Sequence, residues 1–67
     1  MNRALEARKA LALTQEQFAA TLGVHAVTIS RYERGAEPIP RAKQALFHLI
    51  VHATDRQRDQ FLERFYP

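Results

Sequence analysis

The sequence predicts an all-α fold, a compact bundle of about five short helices. No stretch alternates apolar and polar residues with the period of a strand, and no Asn-Gly or Asp-Gly dipeptide marks a hairpin. Thr14 with Gln17, and Thr54 with Gln57, have the spacing of capping boxes, in which hydroxyl and amide side chains satisfy the free N–H groups that open a helix. Gly23 and Gly35, the two glycines of the chain, each close a short segment of helical period, where a left-handed C-terminal cap belongs.

At 67 residues the chain is expected to form one domain, 1–67, whose core is marginal without regular helix packing or a partner subunit. Cysteine is absent, which excludes disulfides and thiolate metal sites. No apolar run approaches eighteen residues, so no membrane span is expected. MNRALEARKA lacks the apolar stretch of a signal peptide, and a cytoplasmic protein, bacterial or phage-encoded, is the expectation. The net charge of +3 is compatible with a nucleic-acid partner without requiring one.

The elements follow in order. Helix 1 is expected from about Asn2, its cap, to Leu11, with Leu5, Arg8 and Leu11 tracing a face. Thr14 opens helix 2. Leu13 just before the cap and Phe18 four residues into the helix form a hydrophobic staple. Helix 2 buries Phe18, Ala19 and Leu22 and ends at Gly23; the small Ala19 lets the next helix cross closely. Helix 3 runs from about Ala26 to Arg34, so residues 14–35 form a helix-turn-helix unit. Ala36 to Pro40 is a loop, because each proline disfavours helical geometry before it.

The C-terminal helices, about 40–66, complete the bundle. Helix 4 starts near Pro40 or Arg41. Ile39, Ala42, Leu46, Leu49, Ile50 and Ala53 recur at helical spacing as a core stripe, and Phe47 and Val51 form a second stripe beside it. Helix 5, roughly Asp55 to Phe65, adds Phe61, Leu62, Phe65 and Tyr66, more apolar area than so short a chain easily buries. Either helix 5 folds back over Phe47 and Val51, or the two helices build an interface.

The segment LTQEQFAATLGVHAVTISRYERG resembles the helix-turn-helix of the lambda-repressor/Cro family, also called the XRE family. The resemblance spans roughly Arg8 to Leu49. It is carried by Thr14-Gln15, Ala19, Gly23-Val24, Ile29, and Glu33 with Gly35. It implies a lambda-repressor-like fold, with helix 3 in a DNA major groove and helix 2 on the backbone. At about 100° per residue, Ile29 and Tyr32 face inward, while Val27, Arg31 and Arg34 face out, flanked by Thr28 and Ser30. Arg31 suits guanine O6 and N7, Ala26 and Val27 suit thymine methyls, and Thr28 or Ser30 suits a base edge or a phosphate. The family pattern places Gln15 and His25 against the DNA backbone. Arg34, Arg41 and Lys43 are phosphate contacts or solvated charges. The pattern also implies a structural ion pair between Arg8 and Glu33, and a homodimer through the C-terminal helices, with Phe47, Val51, Phe61 and Phe65 as interface candidates. Two departures stand out. Many relatives carry glycine where this chain has Ala12, so a differently shaped turn is expected there. Ala26 and Val27 are apolar where relatives are often polar, which weakens hydrogen-bond readout at the start of helix 3.

Other chemistry finds little support. His48 and His52 have the spacing of two metal ligands, but no third ligand is evident, so no metal or other cofactor is expected. His25, Ser30 and Asp55 lack the surroundings of a catalytic triad, and no enzyme is expected. The expectation is a homodimeric transcriptional regulator, a repressor of its own operon in the commonest use, bound to double-stranded DNA at an inverted repeat. The competing reading is an antitoxin of the same family that neutralises a toxin through helices 4 and 5.

Overall fold

Five helices and no strand make up the computed structural model, which describes residues 2–67; Met1 lies outside the described residues. They are α1 (Arg3–Ala10), α2 (Gln15–Leu22), α3 (Ala26–Arg34), α4 (Arg41–His52) and α5 (Asp55–Phe65). α1 packs along α4, α2 crosses α3, and α5 rests on α2. The core is Ala4, Ala7 and Leu11 from the first helix and its exit, Phe18 and Ala19 from α2, Ile29 and Tyr32 from α3, and Phe47 and Ile50 from α4.

The starts of three helices follow from their caps. Asn2 accepts the amides of Ala4 and Leu5. It also donates from Nδ2 to the Tyr32 carbonyl at 2.8 Å, which ties the start of α1 to the end of α3. Thr14 and Thr54 both form complete capping boxes with Gln17 and Gln57. Replacing such a cap by alanine costs about 1 kcal/mol.

The exits of α1, α2 and α3 are alike, whereas α4 and α5 end in extended residues, Ala53 and Tyr66. After α2, the Gly23 amide donates to Ala20 and the Val24 amide to Ala19. After α3, Gly35 donates to Tyr32 and Ala36 to Arg31. Both glycines have φ of 72°. This pair of reversed hydrogen bonds is the Schellman motif. α1 ends in the same way, with Ala12 donating to Lys9 and Leu13 to Arg8. There the left-handed residue is alanine, with φ of 57°. The expected change of turn shape at Ala12 is therefore corrected: the short α1–α2 connection imposes the left-handed turn, and the alanine absorbs the strain.

Two faces differ from the sequence expectation. On α1, Ala4 and Ala7 are wholly buried and Leu5 is only half-buried. Alanine at the contact lets α1 and α4 approach closely, and the leucine is displaced from the centre. On α4, the inward face is turned by about one residue step. Leu46 and Ile50 still face the core, but Phe47 is wholly buried, while Leu49 is 67% exposed and Ala42 is also exposed. The Phe47 ring packs against Phe18, centroids 5.6 Å apart and planes tilted by 39°. A phenylalanine ring removes more apolar area from water than a leucine, and Phe47 also gains the ring of Phe18. The core therefore takes the stripe containing Phe47, and Phe47 is removed from the candidates for a dimer face.

α5 holds no fully buried residue. Phe61 and Leu62 pack on the edge of the core. Arg58 fastens the helix to α4, donating from Nε to the Ile50 carbonyl at 3.0 Å and from Nη2 to the Val51 carbonyl at 2.8 Å. Carbonyls in a last helical turn lack intrahelical partners, and a basic side chain there both satisfies them and opposes the helix dipole. No helix among the described residues is long and apolar enough to cross a membrane.

Candidate DNA interface

The outward face of α3 emerges directly from the burial of its inward face. Ile29 is wholly buried and Tyr32 nearly so. The remaining geometry of a nine-residue helix leaves Val27 51% exposed and Arg31 and Arg34 in solvent, with Ala26, Thr28 and Ser30 half-buried at the flanks. His25 occupies the cap position with extended backbone and makes no side-chain cap hydrogen bond. The first amides of α3 are thus free of a side-chain acceptor, and free helix-start amides favour anions. The first turn of α2, by contrast, is closed by its Thr14–Gln17 box.

A partly buried polar cluster fixes α3 against α1 and α2. The Arg8 guanidinium donates from Nε to Glu33 Oε2 at 2.7 Å and from Nη2 to Glu33 Oε1 at 3.1 Å. Its Nη1 donates to the Leu13 carbonyl at 3.0 Å, just before the cap of α2. Gln15 Nε2 donates to the same Glu33 Oε1 at 3.0 Å. The Glu33 side chain is only 8% exposed. One carboxylate therefore accepts from residues of two other helices, in the paired fork geometry that makes such bonds strong. Burial is the largest single influence on the Glu33 carboxyl and disfavours its charge. The hydrogen bonds from Arg8 and Gln15, with the charges of Arg8 and Lys9, together outweigh it and hold the group below its ordinary value. The hydrogen bond to Glu33 is the main influence raising the Arg8 guanidinium, against burial.

Gln15, expected at the DNA backbone, thus spends one of its two amide hydrogens on Glu33 and keeps the other free. The Arg8–Glu33 pair is the one the family pattern implies, whereas spacing discloses neither the Gln15–Glu33 bond nor the bond from Arg8 to the Leu13 carbonyl. An arginine six residues before a capping threonine was the available signal for the Leu13 bond. Arg31 lies 4.0 Å from Glu37, both side chains well exposed. Lys43 is half-buried near the start of α4, and Arg41 is exposed. Of the dimer candidates, Val51 and Phe61 are half-buried against the core, and Phe65 is 50% exposed with its ring 5.1 Å from that of Phe61. Leu49, Ala53 and Phe61 line one shallow pocket of about 310 Å³. His48 and His52 are exposed on α4 with ring centroids 4.5 Å apart.

Against known proteins, the helix-turn-helix family matches residues 5–46, well over half of the chain. The chain belongs to this family, in its lambda-repressor or XRE form, and is a DNA-binding regulator rather than a member of an enzyme family. No curated protein and no solved structure matches it.

Proposed function

We propose that the chain is a homodimeric repressor that places α3 in the major groove of an inverted-repeat operator and acts by occupying it. The observation that carries this reading is the outward face of α3, with Val27, Arg31 and Arg34 exposed opposite Ile29 and Tyr32. Arg31 donates two hydrogen bonds to guanine, and Ala26, Val27 and Thr28 read neighbouring positions through methyl contacts and a hydroxyl. Gln15, His25, Ser30, Arg34 and Lys43 hold the phosphates, so affinity falls steeply with added salt. The second copy covers Leu49, Ala53, Phe61 and Phe65, a contiguous apolar patch supported by the exposed Leu49 and the Phe61–Phe65 ring contact. A two-fold dimer then sets its two reading helices one turn of DNA apart, about 34 Å.

Selection from random duplex DNA, with molar mass measured in the same buffer, tests the reading. The expected result is an enriched inverted repeat bound by a dimer. Arg31→Ala should then lower the preference for the guanine position by about tenfold or more, in line with the roughly 1–3 kcal/mol of a bidentate base contact. A folded protein that enriches nothing would overturn it. A second chain copurifying on the Leu49–Phe65 patch would favour the antitoxin reading instead.

A further inference from the structure

We infer that Glu37 is a specificity-determining residue: its carboxylate orients Arg31 for base readout and at the same time weakens the hold on DNA of any sequence. The inference rests on the proposed reading of DNA by α3. Two independent observations meet at this residue. The first is geometric. The Schellman turn at Gly35 reverses the chain at the end of α3, with the Ala36 amide on the Arg31 carbonyl at 2.9 Å. The reversal brings Glu37 back alongside the outward face, where its Oε1 lies 4.0 Å from Arg31 Nη1. The second is compositional. Between Glu33 and Asp55, Glu37 is the one carboxylate, set among Arg34, Arg41 and Lys43 in the stretch that would meet phosphates.

The physical consequences have opposite signs for the two kinds of binding. A carboxylate beside the phosphate backbone repels it, and this repulsion is the same for every sequence. A guanidinium has five N–H donors in a planar fork. At 4.0 Å the Glu37 carboxylate makes no hydrogen bond to Arg31 but attracts its charge, and this favours rotamers that keep the guanidinium over the outward face, where its fork can meet guanine, over rotamers that reach away to phosphate. An exposed pair of this kind contributes little to folding. Its effect is expected in discrimination between DNA sequences and not in the stability of the chain.

The test is a double-mutant cycle on Glu37→Gln and Arg31→Ala, using the duplex that the wild-type chain selects and the same duplex with the Arg31-dependent base pair exchanged. Each affinity is measured at two salt concentrations, and folding is checked by thermal melting. With Arg31 present, E37Q should raise affinity for unrelated duplex several-fold and reduce the preference for the selected base pair by about two- to fivefold, the scale of one exposed ion pair. With Arg31→Ala, E37Q should still raise affinity for unrelated duplex but leave the remaining base preference unchanged. An unchanged preference in the Arg31 background, or an equal loss in both backgrounds, would overturn the inference. A wild-type chain that selects no duplex, or an R31A variant with undiminished preference, would instead overturn the DNA reading on which it rests.

Discussion

The cluster at Glu33 and the patch at Leu49 lie in the same small bundle and are held by opposite means. Around Glu33, α1, α2 and α3 are locked by four directed hydrogen bonds to or from partly buried charged groups. Around Leu49, α4 and α5 offer apolar side chains to solvent, and α5 is fastened mainly by Arg58 and the edge contacts of Phe61 and Leu62. The first arrangement fixes one geometry. The second leaves apolar area open, with Leu49 67% and Phe65 50% exposed. A chain this short thus divides its apolar residues between its own core and a face that the core does not reach.

The sharpest way to break this comparison is to remove the residue that separates the two stripes of α4. Phe47→Ala should cost about 3–5 kcal/mol in urea denaturation, the usual effect of deleting a buried aromatic ring. Phe65→Asp or Leu49→Asp should change folding by no more than about 1.5 kcal/mol, from helix propensity and the charge near a helix C-terminus, and weaken self-association in sedimentation. Equal costs for Phe47 and Leu49 would contradict the assignment of faces. The Glu33 cluster comes next. Because the folded carboxyl titrates below its ordinary value of 4.5, its contribution is present above that pH and is lost as the pH falls through the lowered folded value. Glu33→Gln should destabilise by about 3 kcal/mol at neutral pH, as expected for breaking one side of a largely buried pair. Its difference from wild type should shrink in acid, and a gap constant from about pH 7 to about pH 3.5 would place the cause elsewhere. The smallest effect is at the α1 exit. Ala12→Gly should stabilise by up to about 1 kcal/mol, since alanine is strained in a left-handed cap and glycine is not.

The two regions also differ in how far the sequence discloses them. Three of the five helix starts and two of the three left-handed exits are legible because their signals are local: an asparagine cap, a threonine and a glutamine three apart, a glycine after a periodic segment. The inward face of α3 is equally plain, since Ile29 and Tyr32 leave only one way to turn a short helix. α4 is different. It carries two apolar stripes, and periodicity alone ranks the longer one first. Only the fit of Phe47 against Phe18, set by the placement of α1 and α2, selects the other. The links made by Gln15, Asn2 and Arg58 to groups remote in sequence were hidden for the same reason: they depend on where a second helix lies. Ala12 was misread because propensity was weighed without the closure that the α1–α2 connection demands.

The left-handed alanine leaves a simple handle on the domain. Every alanine codon becomes a glycine codon by one base change, so the relaxed turn at position 12 is a single nucleotide substitution away. Ala12 is exposed, so that change would relieve backbone strain without opening a cavity in the core.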